Sequence, residues 1–381
     1  MTTFPFKSMR EWLSFIDKKD ELLHITDEID LRTDITGVHH FLSDEAKWGK
    51  NSPAVIFENI KGYPGWRLTT CSFLTPQRRA WIMGAPLERK EFASYVSPKL
   101  DQHVPPMEIS DGPCKELKFF GDEVDLTKLP IPFSGDVSLE GTPSITAGIS
   151  NKLDPELNWQ NVAIRRYGLK GKRTLSEFIS PVQQDFGIWG RYRRMKQPTP
   201  VAIVITSDPL TYMINLAKAP VGFCEYDLWG VFAGTPLEVV RCETSDLVVP
   251  ANAEIIIEGE LHHNIREMDG PCPEYCGYYT AIAEVGHVDV KCVTMRNDPI
   301  FYYLIMGMPP NEAICIQGLM TEMSVYRELV KLFPGVLDVS FDFHNIIGVV
   351  KVDKRIAKAW PGIARYIANA VKNIYSPKWM F

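Results

Sequence analysis

No run of about 18 apolar residues occurs in the 381-residue chain, so no segment is long enough to cross a bilayer as a helix. The first twelve residues interleave Lys7, Arg10 and Glu11 with their apolar neighbours, which excludes the unbroken apolar core of a secretory signal. A basic excess is also missing. The chain has 41 Lys and Arg against 47 Asp and Glu, and the formal charge is −6, so the basic stripe of a nucleic-acid surface is not there. Cysteine is sparse, with eight residues at 71, 114, 224, 242, 272, 276, 292 and 315 in no framework spacing. Reduced thiols in a soluble, cytoplasmic protein with no membrane or nucleic-acid partner are therefore expected. Internal repeats and low-complexity segments are absent. So are GxGxxG, P-loop, GxSxG and HExxH motifs, which removes the common nucleotide, acyl-transfer and zinc-protease signatures.

What is present is globular: 45% of residues are hydrophobic and 23% charged, and the length suits two or three domains. Met9, Trp12, Leu13 and Ile16 form the stripe of an amphipathic helix. Extended patterns at 22–29, 54–60 and 67–73 complete an N-terminal α/β unit. Residues 104–136 are punctuated by proline and glycine, so they are expected to cross the surface as a linker with one strand at 116–120. Strands then dominate, at 145–151, 160–169, 200–206, 237–249, 253–261 and 278–296. Helices are predicted at 184–196, 209–216 and 224–232. Long strands with hairpin-like connections favour a barrel-type mixed β domain over a doubly wound sheet. A helix at 311–333, strands at 336–341 and 346–352, and a helix at 356–375 broken at Pro361 end the pattern. The apolar finish Trp379-Met380-Phe381 reads as a chain cut short where a strand begins.

Three segments hold polar residues in apolar surroundings. In Asn161-Val162-Ala163-Ile164-Arg165-Arg166-Tyr167, alternation puts Asn161, Ala163, Arg165 and Tyr167 on one face and Val162, Ile164 and Arg166 on the other. An arginine among aliphatic neighbours needs an anion, and a strand-end salt bridge satisfies it as well as a substrate does. In Asp269-Gly270-Pro271-Cys272-Pro273-Glu274, two carboxylates flank a Gly-Pro-x-Pro turn. They can project toward one point for acid/base work, or they can be solvated on a surface turn. Cys272 and Cys276 have no second Cys/His pair at zinc-ribbon distance and read as ordinary thiols. Glu225 opens a helix after a Pro/Gly loop, where the helix dipole would stabilise a carboxylate; a hard cation would recruit such an acid together with an amide oxygen such as that of Asn161. The adjacent pairs His39-His40 and His262-His263 are expected to be solvated. The basic run 191–196, with Trp189 and Tyr192, reads as a solvated or phosphate-facing helix face. Trp159, Trp189, Phe223, Tyr275 and Tyr278 could line a ring pocket or belong to the core.

Together and in this order, these segments and the stretch from Leu237 through Glu260 into the Asp269–Tyr279 loop resemble the UbiD family of reversible decarboxylases. The resemblance implies a mixed α+β fold, with a central flavin-reductase-like split β-barrel (121–320) between an N-terminal α/β domain (1–120) and the start of a C-terminal α/β domain (321–381). It implies prenylated FMN, a divalent metal (manganese or magnesium) and potassium as cofactors, and a partner prenyltransferase that supplies the flavin. The substrate would be an aromatic or α,β-unsaturated carboxylic acid yielding carbon dioxide, and the enzyme a homodimer or higher homo-oligomer. Arg166 falls at the family's catalytic arginine, Glu274 at its proton-shuttling glutamate, and Asp269 where many members have a second glutamate. Asn161 and Glu225 match two metal ligands, and Gln184 stands where the third is commonly histidine. Residues 161–166 (Asn161, Val162, Ala163, Ile164, Arg165, Arg166), Gln183, Gln184 and Glu225 would contact the cofactor. A flavin-dependent oxidoreductase and a noncatalytic subunit of a multi-component carboxylase are the alternative readings.

Overall fold

The computed structural model describes residues 4–47, 52–133, 142–217, 219–342 and 347–374. The predicted first helix forms as Met9–Asp17, capped by Ser8, whose Oγ accepts from Glu11 N, and it buries Met9, Trp12, Leu13 and Ile16. It packs beside a four-stranded sheet of Leu22–Ile25, Ala54–Phe57, Arg67–Thr70 and Ile300–Tyr302, in that order.

The centre is a closed barrel. Its strands, in chain order, are β1 (Leu117–Phe120), β2 (Ser144–Asp154), β3 (Trp159–Leu169), β4 (Thr174–Glu177), β5 (Thr199–Ile205), β6 (Ile255–Asp269) and β7 (Ala283–Met295). They run in the order β6-β5-β2-β3-β4-β7-β1, and β6 also pairs with β7. The six strands β2 to β7 thus form a closed ring and β1 is an added edge. Interior positions carry Ile145, Tyr167, Leu175, Val201, Ile203, Ile257, Leu261, Val288 and Val290, which form one buried cluster. The β6–β7 ladder slips between Leu261 and Arg266, where Leu261 faces Val288 and Arg266 faces Gly286. The extra residues on β6 form a bulge, a device that re-aims side chains.

Several sequence expectations change. The segment expected as a surface linker contributes β1 to the barrel and Met107–Glu108 to a small sheet with Glu238–Arg241; it also buries Cys114, Val124, Leu126, Leu129 and Ile131. Proline and glycine shape its turns, but its apolar residues are packed. The expected strand at 237–249 is two short antiparallel strands, Glu238–Arg241 and Val248–Pro250, and the strand expected from 278 begins at Ala283. Two strands are exchanged across the 1–120, 121–320, 321–381 division, which we retain as a proposal: β1 joins the barrel, and Ile300–Tyr302 pairs with Arg67–Thr70.

Helix Glu312–Leu332 leads out of this body, and its first residue ties it back, because buried Glu312 accepts from Cys71 N and Phe73 N, both at 3.0 Å. Beyond it, the hairpin Val336–Phe341/Gly348–Val352 packs with helix Ile363–Ile374 on a separate core of Val325, Leu329, Phe333, Val336, Val339, Ile363 and Ile367. The helix expected at 356–375 is split at Pro361 into Lys354–Ala359 and Ile363–Ile374, as a missing amide donor requires. The expected strand start at 346 and the apolar finish at 377–381 lie outside the described residues.

Candidate active site

Alternation along β3 holds as read. On one face Asn161 and Arg165 reach Asp185 and Tyr167 reaches Glu177, and Arg166 points to the other. On the Arg166 face the next positions are Gly168 and Lys170, and this i, i+2, i+4 set receives Asp269 from the end of β6. Arg166 Nη1 donates to Asp269 Oδ2 at 2.7 Å and to Cys272 Sγ at 2.8 Å, and Lys170 Nζ lies 3.2 Å from Asp269 Oδ1. Gly168 makes the notch: a Cβ there would stand 2.5 Å from Ser176 Oγ and 2.9 Å from Asp269 Oδ1. Gly168→Ala should therefore displace Asp269 and lower stability by about 1–3 kcal/mol, read as a shifted urea midpoint. An unshifted midpoint would show that the notch relaxes without cost.

Burial alone would raise the Asp269 carboxyl, but Arg166 and Lys170 hold it below its ordinary value, so it is an anion at neutral pH. Burial opposes charge on Arg166 as well, yet the Asp269 carboxylate, with Glu274 further off, raises its pKa. The Cys272 thiol is pushed up by burial against the pull of Arg166, so it is an uncharged neighbour. Among the described residues, Arg166 Nε and Nη2 have no hydrogen-bond partner in the protein. Two donors of a clamped guanidinium are left for an anion.

Glu274 is half-buried on the following loop, where Gly277 N donates to its carbonyl at 3.0 Å and Glu274 N donates to Tyr278 O at 2.9 Å. Gly277 closes this turn at φ +85°, and its missing Cβ would stand 2.8 Å from Pro309 Cδ. Asn311 fixes the loop from outside. Its Nδ2 donates to Tyr275 O and Gly307 O, both at 2.8 Å, and its Oδ1 caps helix Glu312–Leu332 through Ile314 N. Sequence reasoning saw Asn311 only as the start of that helix.

The opposite face of β3 looks onto a buried charged network. Lys152 Nζ, with no exposed surface, contacts Ser150 Oγ at 2.7 Å, Glu177 Oε1 at 2.6 Å and Asp185 Oδ2 at 3.2 Å. Arg165 Nε donates to Asp185 Oδ2 at 2.9 Å, and Asn161 Nδ2 donates to Asp185 Oδ1. Burial would raise Asp185, but Arg165 and Lys152 hold it below its ordinary value. With its amide nitrogen committed to Asp185, Asn161 keeps Oδ1 as a donor to a cation. Val162 N donates to Glu225 Oε2 at 2.9 Å, so Glu225 lies beside Asn161. Gln184, next to Asp185 in the chain, spends Nε2 on Ala219 O at 3.0 Å and keeps Oε1.

The Glu225 expectation needs correction. The side chain caps no helix amide, and burial pushes the carboxyl up to about 8 while Val162 N opposes; desolvation outweighs the helix dipole here. A buried acid beside the spare amide oxygen of Asn161 begins the all-oxygen donor set that a hard divalent cation takes, and the spare Oε1 of Gln184 is a donor of the same kind, so these residues fit the expected metal in their chemistry.

Gln183 Oε1 accepts from Ser180 N in the turn that precedes Gln184. Other candidates are not brought to the site. Trp159, Trp189 and Phe223 are core, whereas Tyr278 is exposed. The basic run is a solvated face in which Arg191 and Arg194 pair with Glu156. His39 is completely buried, and burial pushes its pKa down to about 3; His262 Nε2 lies 2.7 Å from Asp289 Oδ2. Neither is a plain solvated histidine. Lys170, Lys152, Glu177, Asp185 and Asn311 were missed. Only Lys170 had a local signal, its spacing of four from Arg166 on a strand; the partners of the others come from distant segments.

A family model described as the 3-octaprenyl-4-hydroxybenzoate carboxy-lyase Rift-related domain (UbiD) matches residues 107–309, and the corresponding N-terminal domain model matches 13–93. The chain is similar to an evolved dimeric form of the UbiD-class enzyme HmfF from Pelotomaculum thermopropionicum, solved in complex with prFMN, with 28% identity over 97% of this chain and 84% of that one and a TM-score of 0.87. It is also similar to the closed form of vanillic acid decarboxylase from Sedimentibacter hydroxybenzoicus, with 26% identity over 97% and 78% of the two chains and a TM-score of 0.88. A third relative is the apo 3,4-dihydroxybenzoic acid decarboxylase from Enterobacter cloacae, with 25% identity over 98% and 80% and a TM-score of 0.86. A six-strand barrel with an arginine clamped at a rim carboxylate, under a carboxy-lyase family model, defines a carboxy-lyase. The chain belongs to the UbiD family of decarboxylases.

Proposed function

We propose that this enzyme catalyses reversible, non-oxidative decarboxylation of an aromatic or α,β-unsaturated carboxylic acid with prenylated FMN. The observation that carries the reading is Arg166, clamped by Asp269 with Nε and Nη2 left over. These donors suit the substrate carboxylate in a two-point geometry. Asp269, held as an anion by Arg166 and Lys170, fixes the guanidinium and does not donate a proton itself. Glu274 supplies the proton that replaces carbon dioxide at the substrate carbon, and takes one up in the carboxylation direction. When bound, prenylated FMN supplies the electron sink for the carbon that loses carbon dioxide. Asn161, Gln184 and Glu225 would hold a manganese or magnesium ion beside the flavin phosphate, with residues 161–166 and Gln183 along the cofactor and potassium as a further ion. The barrel in this reading is the flavin-reductase-like split barrel of a cytoplasmic homo-oligomer whose flavin comes from a prenyltransferase.

The test is production with prenylated FMN supplied, followed by the visible spectrum and carbon dioxide exchange against aromatic and unsaturated acids. The expected result is a bound modified flavin and exchange of label into at least one acid. Oxidation of a reduced nicotinamide without carbon dioxide exchange would instead identify a flavin oxidoreductase. Bound flavin with neither reaction would identify a noncatalytic subunit.

A further inference from the structure

The β6 bulge has a structural role that the decarboxylase chemistry does not use. Strand alternation puts His287 and Asp289 of β7 on one face, and the slipped ladder presents His262 of β6 to the same point. Asp289 bridges two imidazoles, with Oδ2 2.7 Å from His262 Nε2 and Oδ1 3.0 Å from His287 Nε2. One ligand atom from each of the three residues lies within 4.8 Å of the others.

We propose that His262, His287 and Asp289 form a second metal site, separate from Asn161, Gln184 and Glu225, for a divalent transition ion of the zinc type. Two imidazoles and one carboxylate are a borderline donor set that favours zinc over magnesium or calcium. A tetrahedral ion with bonds of about 2.0–2.1 Å needs donors about 3.3 Å apart, so small side-chain rotations close the site. Glu267 supplies the second feature of a built site. Its Oε1 lies 2.7 Å from His287 Nδ1, so in the neutral ring Nδ1–H donates to the carboxylate and the Nε2 lone pair faces the ion. Trp189 Nε1 donates to His262 O at 3.1 Å and anchors the bulge backbone. Asp289 is 46% exposed at its side chain, which leaves a solvent path for the ion and a water on its open position. Because β6 runs from this bulge to Asp269, the ion cross-links β6 to β7 below the loop that carries Glu274.

The experiment uses the full chain stripped by a chelator and titrated with zinc against a chromogenic competitor, with cobalt as a spectroscopic probe. Wild type and Glu225→Gln should both take up a tight equivalent and show the cobalt absorption of a four-coordinate site. Zinc should also slow amide exchange across residues 262–269. His287→Gln and His262→Gln should each weaken that equivalent by at least about 100-fold, and Glu267→Gln by about 10- to 100-fold. Wild type without a tight equivalent, or full affinity in both histidine variants, would overturn the proposal. So would loss of the equivalent in Glu225→Gln, which would place the zinc at the flavin-side donors. If the histidine variants fail to fold, Glu267→Gln and the wild-type cobalt spectrum decide.

Discussion

Glu274→Gln is expected to reduce decarboxylation of any accepted acid by about 10²- to 10⁴-fold, and to stop exchange of solvent deuterium into the product carbon. The substitution keeps the size and the backbone turn, in which Glu274 N donates to Tyr278 O and Gly277 N to Glu274 O, and removes the exchangeable carboxyl proton together with the carboxylate charge. Flavin content and melting temperature should stay at wild-type values. Arg166 is clamped through Asp269 and Cys272 rather than through this side chain, so substrate binding should change far less than turnover. Unaltered deuterium exchange in the variant would move the proton to another group.

Arg166→Ala should lose both activity and stability. Asp269 is 2% exposed at its side chain and Arg166 7%, and removing one member of a buried pair costs about 3–5 kcal/mol because a charge is left uncompensated. Lys170, 3.2 Å from the other carboxylate oxygen, should keep the loss toward the lower end. Removing both partners, in Arg166→Ala/Asp269→Ala, should recover part of the stability and none of the activity. The pH dependence has a definite sign. Asp269 is depressed in the fold below its ordinary 3.8, so its contribution is complete above about pH 5 and fades as pH falls through the depressed value. The stability gap between wild type and Arg166→Ala should be flat from about pH 6 to 8 and shrink below about pH 4. A gap that instead grows in acid would mean that Asp269 is protonated in the native state.

Much of the site was legible because strand periodicity is a local property. The opposite orientations of Arg165 and Arg166 follow from alternation alone, and the Gly-Pro-x-Pro turn between Asp269 and Glu274 marked a loop able to hold two acids. The partners were not legible. Lys152 could be placed next to the end of a strand, but nothing local says that it is wholly buried against Glu177 and Asp185, which are 25 and 33 residues away. Glu225 shows the limit of local electrostatics. A helix start predicts a stabilised carboxylate, yet the protein packed around it removes the water that ionisation needs, and its pKa rises to about 8.

The residues around 104–136 show the same division. Their prolines and glycines specify turns, which the chain does make, but turn chemistry does not say whether the residues between turns face water. That depends on the β7 edge and the Glu238–Arg241 strand, which accept them as sheet neighbours. By itself, the sequence determined most of the elements, the faces of β3, the globular composition and the family resemblance, because these rest on spacing and residue type within short windows. The closure of β6 on β7, the Arg166–Asp269–Lys170 clamp, the desolvation of Glu225 and the meeting of His262 with His287 and Asp289 were decided by tertiary structure. Each depends on desolvation or on contact between segments far apart in the chain, and no local pattern encodes either.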